Sequence, residues 1–359
     1  NTIVPKISAV EQLQRCVLAS LLWENQFYVD GKEAADLVKE LVPKVSSVQV
    51  AKLAEIARSK FKLRHMPLFL VRELARSGKL NADTLTGVIQ RPDEIAEFLS
   101  LYWKDKKQPL SNQVKKGLAN AFSKFNEYQF AKWDKNNASI SLRDVMFLTH
   151  PTPKDKEQEL LFKKIANKEL ETPDTWETQL SAGASKKETF ERLMLENKLG
   201  ALAFLRNLRN MDQAGVSPQL IRGYAKNLNV ERVLPFRYIA AAKVVPQYED
   251  MLEQMMLKSL ESVEKLQGRT LLLVDVSGSM FGTKVSSKSD IDRFDAAAAL
   301  AMLCREICEE VEIFSFSGHA ARVAPRRGFA LREAISNSQS HRGTYLGQSL
   351  AEIDMANKG

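Results

Sequence analysis

Gly268-Arg-Thr-Leu-Leu-Leu-Val-Asp275-Val-Ser-Gly-Ser279 is the stretch on which the reading of this 359-residue chain turns. Thr270 to Val274 is a continuous apolar strand, the pattern of a segment covered on both faces at the centre of a parallel sheet. The strand ends in Asp275-x-Ser277-x-Ser279, a small-residue helix from Phe294 to Glu310 follows, and a second strand runs from Val311 to Phe316. Strand, helix, strand is the unit of an α/β domain. In open sheets of this kind ligands bind outside the carboxyl ends of the strands, which is where the Asp275 motif falls. The segment 263–359 therefore reads as the first part of an α/β domain, truncated before its later strands, with a closing helix from Leu346 to Ala356.

Upstream of Gly268 the grammar is different. Residues 1–262 read as helix after helix. Ser8 with Glu11 makes a capping box before Leu13, Val17 and Leu21. Pro92 fits the first position of the helix carrying Ile95, Phe98, Leu99 and Tyr102. Ser111 caps a helix whose apolar face is Val114, Leu118, Phe122 and Phe125. Further amphipathic stretches run from Glu188 to Leu199, Pro218 to Asn227 and Tyr248 to Leu260. Short helices joined by brief polar turns suggest an all-α helical-repeat solenoid.

Composition narrows the function classes. With 44% hydrophobic and 27% charged residues the chain is an ordinary globular protein, which excludes disorder and fibrous repeats. No apolar run reaches the length of a membrane helix and none has the form of a secretion signal. Three cysteines, Cys16, Cys304 and Cys308, are too few for a disulfide framework. Cys304 and Cys308, four apart on a helical pattern, read as small core residues, and a cytoplasmic location follows.

The net charge is +8, and between Leu101 and Lys168 there are 14 Lys and Arg against 7 Asp and Glu. One fifth of the chain thus holds nearly the whole imbalance, the electrostatic footprint of a polyanion binder. On the helix that starts near Ser111, Lys116, Asn120 and Lys124 recur at i, i+4 and i+8 with Lys115 beside them. Lys116 and Lys124 would stand about 12 Å apart along the axis, suited to separated phosphates. Lys132-Trp-Asp-Lys135 then interleaves cations with an aromatic ring, and Arg143 and His150 follow. Trp133 reads as core packing ahead of a stacking ring, His150 also as a helix-end residue before Pro151, and His65 as structural.

At the Asp275 motif one carboxylate and two hydroxyls offer the hard oxygens that magnesium or manganese prefers. Gly278 permits the tight turn, and Gly343-Thr344 supplies a second hydroxyl loop. One carboxylate leaves a divalent ion undercompensated and open to an acidic group from a partner. The motif resembles the metal-ion-dependent adhesion site of von Willebrand factor A domains, with Asp275, Ser277, Ser279 and Thr344 at ligand positions. The family's further aspartate belongs after a later strand outside this sequence.

An all-helical region before such a domain resembles the TROVE family, the Ro autoantigen type of ring protein. Glu24–Gly31 (ENQFYVDG), Leu63–Pro67 (LRHMP), Thr172–Glu177 (TPDTWE), Leu202–Met211 and Arg232–Arg237 (RVLPFR) carry the resemblance, in the family's order. It implies a monomeric ring of HEAT-like helical repeats at 1–262, closed by the A domain. It also implies binding of noncoding RNA, including Y RNA and misfolded RNA with a single-stranded 3′ end, and partnership with a 3′-to-5′ exoribonuclease. Lys132 and His150 match family RNA-contact positions, while an expected arginine has only Asn136 near its place. An enzyme is not expected: Ser277, His319 and an aspartate can be drawn as a triad, but Ser277 lacks the glycine-flanked elbow of a hydrolase. The rival function is a protein adhesion scaffold working through the metal, which has no need of the basic block.

Overall fold

The computed structural model describes residues 7–19, 31–134, 139–285 and 290–358. The chain divides into two compact units, Asn1–Pro173 and Asp174–Gly359.

The first unit is helical: α1 (Ala9–Ala19), α2 (Gly31–Leu41), α3 (Ser47–Ser59), α4 (His65–Arg76), α5 (Ala82–Val88), α6 (Asp93–Trp103), α7 (Asn112–Phe122), α8 (Glu127–Trp133), α9 (Leu142–Thr149) and α10 (Lys156–Asn167). Local chemistry sets the starts. Ser8 and Glu11 exchange the bonds of a capping box as expected. Ser111, Asn126, Ser141 and Asp155 each accept a backbone N–H from the first turn of the helix that follows. Pro92 falls at the cap of α6, one residue earlier than expected, already in helical geometry. The spacing of Val114, Leu118 and Phe122 places all three at 0% exposure in one core with residues of α3 to α6. Gly117 lets α7 approach α5: a Cβ there would lie 2.9 Å from the Ala82 carbonyl oxygen and from Leu85 Cδ2.

The second unit joins helices to a small sheet. It contains α11 (Trp176–Ser181), α12 (Lys186–Leu195), α13 (Ala201–Gln213), α14 (Pro218–Asn227), α15 (Pro235–Val244), α16 (Glu249–Leu260), β1 (Leu266–Asp275), α17 (Arg293–Ile307), β2 (Cys308–Phe316), β3 (Ala320–Arg322), α18 (Gly328–Ser336) and α19 (Leu346–Lys358). The sheet order is β1-β2-β3, with β1 parallel to β2 (Leu272 opposite Ile313) and β2 antiparallel to β3. The sequence grammar changes at β1, but the compact unit begins earlier, because helices α13 to α16 share one core with α17, α18 and the sheet. Asp295 shows why they act as one body. It is fully buried near the start of α17, where it accepts Lys243 of α15 at 2.6 Å and Arg332 of α18 at 2.7 Å.

The structure departs from the sequence expectations in three places. The apolar run of β1 has the pattern of a central strand. Among the described residues β1 is paired on one side only, and Leu266 and Leu271 are exposed. The helix expected to reach Glu310 ends at Ile307, so Cys308 opens β2 instead of lying on a helix face. Cys308 is buried, whereas Cys304 is half-buried with its thiol pushed up by desolvation and by Cys308. The short strand β3 is an addition to the expected elements, since Ala320–Arg322 carries no apolar alternation.

Candidate nucleic-acid interface

The basic block folds into α7, α8, α9, α10 and their connections. Lys115, Lys116 and Asn120 are exposed on α7, away from the buried Val114–Leu118–Phe122 face. Among the described residues no carboxylate pairs with Lys115 or Lys116. The expected i+8 member does not continue this row. α7 stops at Phe122, and Lys124 lies in the following turn with its ammonium folded back onto α5. Lys124 Nζ donates to the Thr86 carbonyl at 2.7 Å and to the Ile89 carbonyl. Desolvation there pulls its pKa below the ordinary lysine value. Lys124 therefore serves the C-terminal end of α5, where carbonyls lack helical partners.

On α8, Lys132 is exposed, with Nζ 5.8 Å from the Tyr128 ring centroid and 6.0 Å from that of Trp133. Trp133 is half-buried, and one face of its indole is covered by the Arg91 guanidinium at 3.6 Å. That contact satisfies the core reading of Trp133 better than an open stacking platform. Burial raises the pKa of the neighbouring Asp134. Lys135 lies outside the described residues. Arg143 is exposed on α9, where its Nε donates to the Ala166 carbonyl at 2.6 Å and its guanidinium stands 5.1 Å from the Phe147 ring centroid. His150 caps the C-terminus of α9 in left-handed geometry (φ 48°), exposed and just before Pro151. The helix thus ends where the proline requires.

His65, without an acidic partner nearby in sequence, meets one in space. Its Nδ1 lies 3.0 Å from Glu97 Oε1, within a cluster where Arg64 pairs Asp93 and Glu97. Behind it Arg58 bonds Glu94 through two oxygens at 2.6 and 2.7 Å, with both side chains buried. These charges neutralise each other inside the unit, which leaves them a structural role. Sequence reasoning missed a surface that Lys115 of α7 borders. Trp103 and Lys107, with Lys115, line an open groove of about 900 Å³. The run Trp103-Lys-Asp-Lys-Lys107, cations beside an aromatic, was its trace in the sequence.

In the second unit the Asp275 motif turns as expected. Asp275 closes β1, its Oδ1 accepts the Ser277 N–H at 2.8 Å, and Ser277 Oγ lies 3.3 Å from Ser279 Oγ. Ser277 is buried, and its hydroxyl lies against the Ser279 hydroxyl. The loop that carries Thr344 is tied to both strand ends. His341 Nδ1 bonds the Val276 carbonyl at 2.8 Å, Ser317 Oγ donates to the Gly343 carbonyl at 2.9 Å, and Tyr345 N–H donates to the Ser317 carbonyl at 3.0 Å. Thr344 itself is exposed. A carboxylate with neutral hydroxyls on one tight turn is a donor set that fits a hard divalent cation.

Comparison with known proteins bears on both units. The TROVE domain family model matches residues 166–281, a span that includes Thr172–Glu177, Leu202–Met211, Arg232–Arg237 and the Asp275 motif. Among solved structures, the crystal structure of the Deinococcus radiodurans RO (RSR) protein has the same fold, with a TM-score of 0.68 at 18% identity over 94% of this chain and 81% of that one. Among the described residues no helix is long and apolar enough to cross a membrane.

Proposed function

We infer that this chain, whose residues 166–281 match the TROVE domain family model, binds noncoding RNA as the protein subunit of a ribonucleoprotein. The observation that carries the reading is the set of exposed lysines, Lys115, Lys116 and Lys132, that have no carboxylate partner among the described residues. Lysine contacts to phosphates give sequence-independent affinity through release of counterions. Such contacts hold the folded body of an RNA, Y RNA-like or misfolded. Bases can be read only where they are unpaired, because the A-form major groove excludes side chains. The family resemblance extends this reading to structured RNA with a single-stranded 3′ end, held by a monomer and passed in quality control to a 3′-to-5′ exoribonuclease in the cytoplasm. The chain contributes binding and no bond-breaking step of its own. The test compares one stem with and without a 3′ tail of about ten nucleotides, at fixed salt. Tighter binding of the tailed form, surviving a scrambled stem, is expected. Equal affinity removes the preference for a free end.

The turn at Asp275 favours a second activity beside the first. Asp275, Ser277, Ser279 and Thr344 would hold magnesium or manganese. The ion would supply a positive centre for an acidic group of a protein partner. Ser277 and Ser279 orient their hydroxyls on one turn, and Asp275 brings the only carboxylate of the set.

A further inference from the structure

Between the end of α6, the connection to α7 and helix α9 runs the open groove of about 900 Å³. Trp103, the last residue of α6, is half-buried, and its indole N–H donates to the Gln108 carbonyl at 2.8 Å, which fixes the ring plane. The Lys107 ammonium stands 4.9 Å from the ring centroid. That cation stands over the aromatic face, and a base stacked there would displace it towards the nucleotide's own phosphate. Lys115 reaches the groove from α7, and Pro109 and Leu148 add apolar edges. Neither lysine has a carboxylate partner among the described residues. Of the described residues that line the groove, Asp144 alone is acidic, and its carboxylate is held by the Ser141 N–H at 2.8 Å and the Ser141 hydroxyl at 2.7 Å.

These features discriminate between ligand classes. A simple anion needs the lysines but gains nothing from a fixed indole with apolar edges. An apolar peptide gains from the edges but leaves two cations unmatched. An unpaired nucleotide has both a flat π-face and a phosphate, and an open groove leaves room for its flanking backbone. We propose that this groove is a stacking site for one or two unpaired nucleotides, with a base on Trp103 and phosphates on Lys107 and Lys115. The proposal rests on the RNA reading above and adds what surface lysines alone do not give, a preference for unpaired over paired bases. In a duplex each base is stacked on its neighbours and cannot reach the indole.

The experiment uses the full chain and two fluorescein-labelled RNAs, heptaadenylate and a blunt hairpin, followed by anisotropy at fixed salt. Trp103→Ala should weaken heptaadenylate binding about tenfold or more, as loss of base–aromatic stacking does, and leave the hairpin within about twofold. Trp103→Phe should retain most of the affinity. Replacing Lys107 and Lys115 together by Ala should reduce the slope of log K against log salt by up to about 1.4, at about 0.7 per single-strand phosphate. Because Trp103 also packs locally, photocrosslinking of an iodouridine-substituted heptamer to the unmutated protein gives a second readout, with adducts expected within residues 103–115. Unchanged heptaadenylate affinity in Trp103→Ala, equal loss for both RNAs, or adducts confined to other segments would overturn the proposal. So would competition by a glutamate peptide of equal charge as strong as that by unlabelled heptamer. Binding of the hairpin without the heptamer sinks the groove alone, whereas binding of neither RNA sinks the RNA reading itself.

Discussion

Lys116 and Lys124, eight residues apart, look equivalent in sequence, yet replacing them should have opposite consequences. Lys124 donates to the Thr86 carbonyl at 2.7 Å and to the Ile89 carbonyl, both at the C-terminal end of α5. A cation there contributes about 0.3–1 kcal/mol, rising to about 2 where partly buried, and hydrogen bonds to a charged group contribute about 1.5–3 kcal/mol. The two descriptions overlap, so Lys124→Met, which keeps most of the stem's packing, should cost about 1–2 kcal/mol. Lys116 is solvated, and Lys116→Ala should change stability by less than about 0.5 kcal/mol. Urea unfolding followed by circular dichroism reads this as a lower midpoint at unchanged slope for Lys124→Met only. In RNA titrations the order reverses. Lys116→Ala should reduce the salt slope by about 0.7–0.9, one phosphate's worth, and Lys124→Met should leave it unchanged. A stable Lys124→Met protein with a reduced salt slope would refute the assignment of Lys124 to α5.

Acid should act on the second unit through Asp174. The Arg192 guanidinium at 2.7 Å, helped by Lys198 at 3.0 Å, holds its carboxyl far below the usual range. A depressed acid stabilises above its unfolded pKa, near 3.9, and loses that contribution as pH falls towards the folded value. The melting temperature of Asp174→Asn should therefore lie below wild type at pH 7, with a gap that begins to narrow only below about pH 4 and keeps narrowing in stronger acid; a gap that widens in acid would exclude this. At the Asp275 turn, Asp275→Ala should abolish any magnesium or manganese binding seen by calorimetry and spare RNA affinity. Collapse of RNA binding with both units still folded would show that the division of labour is wrong.

Much of the fold was legible because its determinants are local. Ser111 caps α7 because a short hydroxyl side chain reaches a first-turn N–H, and Val114, Leu118 and Phe122 share a face by helical period. The Asp275 turn was legible because Asp275, Ser277 and Ser279 lie within five residues. What escaped depends on partners distant in sequence. Lys124 reaches carbonyls 35 and 38 residues away, His65 meets Glu97 at a separation of 32, and Arg143 meets Ala166 at 23. A backbone carbonyl has no residue signature, so a lysine that caps a foreign helix looks the same as one that faces solvent. The end of α17 escaped for another reason. Cys308 and the acidic residues after it suit helix or strand, and pairing with β1 decides the matter. The groove at Trp103 was written in one run of sequence, but only folding brings Lys115 to it.

The central claim is that RNA is held electrostatically by cations left unpaired on the first unit. The most direct measurement is affinity for one structured RNA across a salt series, for wild type and for a variant with Lys115, Lys116 and Lys132 all replaced by Ala. The account predicts folded protein, weaker binding, and a slope of log K against log salt smaller by about two to three, at roughly 0.7–0.9 for each phosphate that a lysine no longer neutralises. An unchanged slope in a folded triple variant would contradict it.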